Sequence, residues 1–387
     1  MIKSIYKKKG KHGIALIGLS LTVLVIALSM SSRYFSGKKK PLLPFEEVYA
    51  PSKQLHRDIS SIDMAISSEL YKIGVSQENI LFLSVIPMRK DGYSWEFSSI
   101  AATVSHKYSA SQIGMEIKET ISSLKAPVQV NIYDESEKVT VCNIFWKGFH
   151  THMLKIALDD YKAVGSLSHP RISIIIDDLG YKKPIANELI NLDVALTFAI
   201  LPFTPYTRII AQKAHKRNKE TMLHLPMEPI SYPSINPGDG VLLESMDKEA
   251  ILKVLNDDLR QIPFISGVNN HMGSRLTKCQ EKMEIVMTEL KKRNLYFIDS
   301  RTSSDTVAFK VAKKLALTTA NRDVFLDNNL TENALKAQIE KLCGLARHKG
   351  RAIGIAHPHK KTLNILKVYE QTLKSKVSVV PVSELLH

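Results

Sequence analysis

From residue 170 to the end of the chain, short apolar runs alternate with stretches whose apolar positions recur every three or four residues. The runs fall at 172–177, 195–201, 220–226, 266–271, 295–299, 317–326, 352–356 and 377–382. The first, Ile172-Ser-Ile-Ile-Ile, is almost continuous in Ile, as expected of a strand buried on both faces of a parallel sheet. The stretches between have helical periodicity. Pro184 suits a first helical turn, and Thr277 with Gln280 reads as a capping box ahead of Met283, Val286, Met287 and Leu290. Repeated units of this kind predict an α/β fold with a parallel sheet. Seven or eight of them in about 215 residues predict a distorted (β/α)7-8 barrel over 170–387, with an open doubly wound sheet as the alternative.

Upstream the pattern is mixed. Ile59, Ile62, Ile66, Leu70 and Ile73 recur at helical spacing, as do Ile113, Ile117, Ile121 and Leu124. Trp95 and Phe97, then 128–132 and 139–141, alternate as strands do. Residues 52–164 therefore read as a small α+β module, with helices on an antiparallel sheet and no cluster of His, Cys or carboxylates. Its role and any protein partner are not legible in its sequence. Gly165-Ser-Leu-Ser-His-Pro170 reads as a linker.

The N-terminus has a different character. Residues 1–12 are basic, and the uncharged run Gly13–Met30, within a segment at 13–31, would span roughly 27 Å as a helix. That length suits a single transmembrane anchor; a cleaved signal ending near Ala27-Leu28-Ser29 is the alternative. Either places the bulk of the chain outside the cytoplasm, periplasmic or extracellular, behind a basic, Pro-bearing linker at 32–51. The net charge of +15 invites a nucleic-acid reading, but nine basic residues and no acid lie within residues 1–40. The rest carries 44 basic against 38 acidic residues, so no nucleic-acid partner is expected. Nor is there a GxGxxG or Walker A sequence to hold a nucleotide. Cys142, Cys279 and Cys343 lack metal-type spacing and read as free or buried thiols.

Candidate chemistry collects where the strands end. The first run leads into Asp177-Asp178, the third carries His224 and reaches Glu228, and the fourth ends Asn269-Asn270-His271 before Ser274-Arg275. The fifth ends Asp299-Ser300-Arg301, the sixth holds Arg322, Asp323 and Asp327, and the seventh leads into His357 and His359. In a barrel these ends converge on one mouth. Singly, each has an ordinary structural role open to it as a turn, helix cap or core hydrogen-bonding residue; together they describe a site. His224, His271 and a carboxylate from Asp177 or Asp178 make a set suited to a divalent metal, zinc above all. Glu228, Asn270 or Asp299 could orient the imidazoles. A spare Asp as base and His357 or His359 as acid complete the parts for metal-assisted hydrolysis of an amide or ester.

The ordered series IIIDDLG, LTFAILP, HLPMEP, NNHMGSRLT, FIDSRTS, RDVFLDN, IGIAHPH and VPVSEL resembles the divergent polysaccharide deacetylase family, distant kin of NodB-type deacetylases. The resemblance covers a little over half the chain. It implies a distorted barrel and metal-dependent removal of acetyl groups from N-acetylated sugars; with the exported address, the expected substrate is a cell-envelope polysaccharide, its acetyl group held as amide or ester. By the same resemblance Asp177 matches the base, Asp178 and His224 match metal ligands, and His357 matches the acid. Glu228 stands where the related pattern has a second His, so the third ligand is Glu228 or, from another strand, His271. NNHMGSRLT replaces the usual Arg-and-Pro motif. A non-catalytic carbohydrate-binding or regulatory protein on the same fold is the main rival. Another hydrolase, such as a phosphodiesterase, would be favoured by Arg and Lys clustered about the metal. Aromatic residues at the mouth (Phe203, Tyr206, Tyr232) would favour sugar stacking.

The basic–apolar–basic order of residues 3–40 makes one expectation testable at once. A reporter fused after His387 should be active only if it works in the exported compartment. Activity of a cytoplasm-only reporter at that position would overturn the assignment.

Overall fold

The computed structural model describes residues 52–159 and 170–386; the expected anchor and both linkers lie outside the described residues, Pro170 apart. The upstream module opens with α1 (Ser52–Lys72), which buries Ile59, Ile62, Ile66 and Leu70 along one stripe. A second helix, α2 (Ala110–Ser122), does the same with Ile113, Ile117 and Ile121. Five strands form its sheet: β1 (Ile80–Lys90), β2 (Tyr93–Val104), β3 (Val128–Ser136), β4 (Val139–Trp146) and β5 (Phe149–Leu158). Their order is β1-β2-β5-β4-β3. The β2–β5 pairing is parallel, so the sheet is mixed rather than the antiparallel one expected. Two tight hairpins, at Asp91-Gly92 and Lys147-Gly148, take positive φ at both central residues, the turn whose twist matches paired strands.

The second sheet contains β6 (Arg171–Leu179), β7 (Thr197–Ile200), β8 (Glu220–Met227), β9 (Ile265–Met272), β10 (Tyr296–Asp299), β11 (Thr319–Asn321), β12 (Val324–Phe325), β13 (Arg351–Ala356) and β14 (Ser378–Val379). All its pairings are parallel, in the order β11-β10-β9-β8-β7-β6-β13-β12, with β14 on β6. Helices α3 (Lys183–Ile190), α4 (Thr207–Lys216), α5 (Lys248–Gln261), α6 (Gln280–Lys292), α7 (Ala308–Lys314), α8 (Glu332–Lys349) and α9 (Lys360–Lys376) connect the strands. The result is a curled parallel sheet rather than a regularly closed barrel. The run expected as one strand at 317–326 is split into β11 and β12, which end the sheet on opposite edges. Its backbone changes partner at the break: Arg322 N–H donates to Asp299 O, and Asp323 N–H to Ile353 O. The run expected at 377–382 yields only β14, then a 3-10 turn at Val382–Leu385. Pro184 lies in the first turn of α3 as expected. The capping box does not form: Cys279 precedes α6, while Thr277 Oγ1 donates to Gly273 O.

Alternation along the strands sorts two apolar layers. Ile172, Ile174 and Ile176 join the large core under the helices, whereas Ile175 faces inward with Ala199, Met222, Ile298, Ile353 and Ile355. Val382 and Leu385 of the terminal turn belong to this inner cluster. Tyr296 fits inside because Gly267 leaves room; a Cβ there would come within 2.2 Å of its ring. Two residues beyond Ile175, Met222 and Ile355, the same inward parity reaches Asp177, His224 and His357.

The large core is continuous through the module and the curled sheet, running from Ile62 and Phe82 to Ile172 and Leu342. Gly344 on α8 permits close approach, since a Cβ there would sit 2.8 Å from the Phe82 ring. Within this interface Asp63 accepts from Lys341 Nζ at 2.9 Å and Gln338 Nε2 at 3.2 Å, and His152 Nε2 lies 3.2 Å away. Burial opposes the Asp63 charge, but Lys341 and His152 outweigh it and hold the carboxyl far below its usual range. Lys341→Ala should therefore destabilise the fold by roughly 3–5 kcal/mol in denaturant unfolding, by leaving a buried charge unpaired. Because the folded-state pKa of Asp63 is depressed, its contribution is complete above the ordinary carboxylate pKa. It should be lost progressively as pH falls below about 4.

Candidate active site

Adjacent residues of a strand normally point to opposite faces, so Asp177 and Asp178 should diverge. They do not. The β6–β7 register shifts between Ile176 and Leu179, and Asp178 has a φ of 55°, so the chain bulges and both carboxylates turn into the mouth. Both are buried. On the neighbouring strands His224 is paired with Asn269, and His271 lies two residues further on the same face of β9.

Asp178 Oδ1 lies 2.9 Å from His224 Nε2 and 3.0 Å from His271 Nδ1, and the two imidazole nitrogens are 3.1 Å apart. Asn269 fixes the arrangement. Its amide Nδ2 donates to Asp177 Oδ1 at 2.9 Å, so its Oδ1 must accept from His224 Nδ1–H at 2.8 Å. That tautomer leaves the Nε2 lone pair of His224 aimed at Asp178. Both Asp178 oxygens and His271 Nε2 are buried without a well-aligned hydrogen bond. Asp178 Oδ1, His224 Nε2 and His271 Nδ1 face one point, and a proton or a cation must lie between them. Three donors about 3 Å apart match what a divalent ion with bonds of roughly 2.0–2.2 Å requires. Among the described residues, Asp178, His224 and His271 are the group that could hold one.

Burial opposes the Asp178 charge, but His271 and His224 prevail and hold its pKa well below the ordinary range. Asp177 moves the other way. Burial, reinforced by Asp178, raises its pKa against the pull of His224 and His357. His224 is raised despite burial because both carboxylates face it, whereas burial dominates at His271 and lowers it.

His357, just past β13, is held by Asp327. Asp327 Oδ1 takes His357 Nδ1–H at 2.8 Å, while its Oδ2 accepts the His357 backbone N–H at 2.7 Å and Thr362 Oγ1 at 2.8 Å. Nδ1 thus carries the proton, leaving Nε2 to act. Phe325 stacks on the ring at 6.1 Å. His359, 6.3 Å from His357 at the rim, is pushed down in pKa by burial.

Other expected site residues have different work. Glu228 does not join the triad: its Oε2 accepts the Glu244 N–H at 2.6 Å and its Oε1 faces Arg275 at 3.4 Å, tying down the segment after β8. Arg275 also donates to Ile230 O. Asp299 is a turn cap, accepting from Arg301 N, Thr306 Oγ1 and Phe309 N. Asp323 accepts the Ile353 N–H within β13, away from His357. Asn270 and Ser300 brace the floor: Ser300 N donates to Asn270 Oδ1, and Asn269 Nδ2 reaches Ser300 Oγ at 3.3 Å. Asn269 itself was not expected, although it lies between the inward Gly267 and His271. Asp327, on the sixth run, gains its role only from its contacts with His357. Phe203 and Tyr181 are both 42% exposed, whereas Tyr206 packs against the core.

A family model for divergent polysaccharide deacetylases matches residues 174–386. The chain belongs to this family. Over 231 residues it is 33% identical to YibQ, an uncharacterised protein of Escherichia coli K12, covering 59% of this chain and 72% of that one. An uncharacterised Haemophilus influenzae protein is 30% identical over 220 residues, 57% of this chain and 78% of the relative. Among solved structures, the uncharacterised protein ATU2773 of Agrobacterium tumefaciens C58 superposes with a TM-score of 0.54 at 26% identity. That match covers 58% of this chain and 90% of that one.

This geometry separates the two candidates for the third ligand. The chain should take up one divalent ion by elemental analysis, and His224→Ala or His271→Ala should abolish stoichiometric binding. Glu228→Gln should retain it; loss of metal there, with retention in His271→Ala, would reverse the assignment.

Proposed function

We propose that this chain is a metal-dependent hydrolase that removes acetyl groups, as amide or ester, from a cell-envelope polysaccharide outside the cytoplasm. The observation that carries this reading is one mouth holding the Asp178–His224–His271 triangle, the second carboxylate of Asp177 and the His357–Asp327 pair. With a divalent ion, zinc by donor type, held by the triangle, the site gains a Lewis acid that acidifies water and polarises a carbonyl. Asp177 is the base. Its pKa is moved upward, towards the range in which a carboxylate accepts a proton effectively. His357 is the acid that protonates the leaving amine or alcohol, and Asp327 orients it and stabilises its charged form. Asn269 keeps Asp177 and His224 in register, so base and ligand are set by one amide.

Asp177→Asn should keep the metal and lower acetate release from N-acetylated glycans by roughly 10²–10⁴-fold. His357→Ala should behave alike, and Asp178→Asn should lose metal and turnover together. A wild type that binds metal and glycan but releases no acetate would instead support the non-catalytic binding role. Full turnover by Asp177→Asn with metal in place would show that this carboxylate is structural.

A further inference from the structure

Beside the mouth, where the module meets the curled sheet, lies a cleft of about 80 Å³, enough for several waters or one small charged group. From the sheet it is lined by Arg301, Thr302, Arg322 and Phe325, and from the module by Ser94 and Trp95. Phe325 links cleft and mouth: the Arg322 guanidinium lies 3.6 Å from its ring centroid, and the ring also stacks with His357.

The two arginines differ. Arg322 is buried and satisfied, donating to Glu96 Oε1 at 2.7 Å, Ser300 O at 2.8 Å and Arg301 O at 3.2 Å. Arg301 is half-buried, and among the described residues no acceptor meets its guanidinium. Its backbone is strained, with a φ of 51°, and is held there by Asp299 at its N–H and Arg322 at its carbonyl. Burial and then the neighbouring Arg322 oppose its charge, and the more distant pull of Asp299, Glu96 and Asp323 offsets this only in part. Glu96, the acid in the cleft, is already taken by Arg322. A strained backbone thus presents, beside the reacting centre, a guanidinium with no direct acceptor among the described residues, where an anion would complete it.

We infer that this cleft binds an oxyanion, a carboxylate or phosphate carried by the glycan, and that Arg301 is its anchor. The inference rests on the glycan reading above and narrows it: the substrate is an acidic saccharide, and the module supplies one wall of its site. The test is binding to the full chain, stripped of metal by chelation, so that absence of turnover leaves it readable. The probes are N-acetylmuramic acid, N-acetylglucosamine 6-phosphate and neutral N-acetylglucosamine, compared by calorimetry. At least one acidic sugar should bind roughly 10–100-fold more tightly than the neutral one, as a charge-assisted contact supports. The tighter of the two identifies the oxyanion. Arg301→Gln should erase that preference, Arg301→Lys should keep part of it, and added salt should narrow it. No preference for either anion, or one that survives Arg301→Gln, overturns the inference.

Discussion

Two carboxylates buried side by side repel each other, and the mouth of this sheet is organised around that repulsion. The bulge at Asp178 creates the conflict by turning both groups inward. Two imidazoles settle it on one side, holding Asp178 ionised. On the other side burial and the retained neighbouring charge push Asp177 towards protonation. Chemically equivalent residues are thereby driven apart in acidity, which is how neighbouring groups acquire different tasks. Asn269 makes the division stable by donating to Asp177 while accepting from His224.

Support for this arrangement extends to the module. One core runs under both sheets, and a buried Lys341–Asp63 pair lies within it. Such pairs are seldom large sources of stability, since desolvation offsets much of the attraction. Their geometry is demanding, however, and here it ties α1 to α8. The contact between Arg322 and Glu96 repeats the pattern next to the mouth.

Much of this was legible along the chain, for identifiable reasons. Strands such as β6 and β13 are buried on both faces, so their apolar runs are unbroken and end at polar residues. That alone located Asp177, Asp178, His224, His271 and His357. The module was harder to read: β5 carries His150, His152 and Lys155 among its apolar positions, which blurs the alternation. Inward parity could have singled out Asn269, but a run of two Asn before a His does not say which one faces in. The roles of Glu228, Asp299 and Asp323 depend on backbone N–H groups that come close only after folding, a relation no spacing encodes.

Consider finally the place where the curled sheet changes edges. Arg322 and Asp323 carry the chain from β11 to β12, and Arg322 also grips the module through Glu96. Backbone seam and side-chain clasp are therefore carried by one residue. Downstream of that seam come Phe325 and Asp327, the stacking and orienting partners of His357. A shift of the module would therefore bear on the seam as well as on the shared core, and through the seam on the imidazole at the reacting centre. From the clasp at Arg322 to the carboxylate of Asp327 that orients the proton donor, the chain runs six residues.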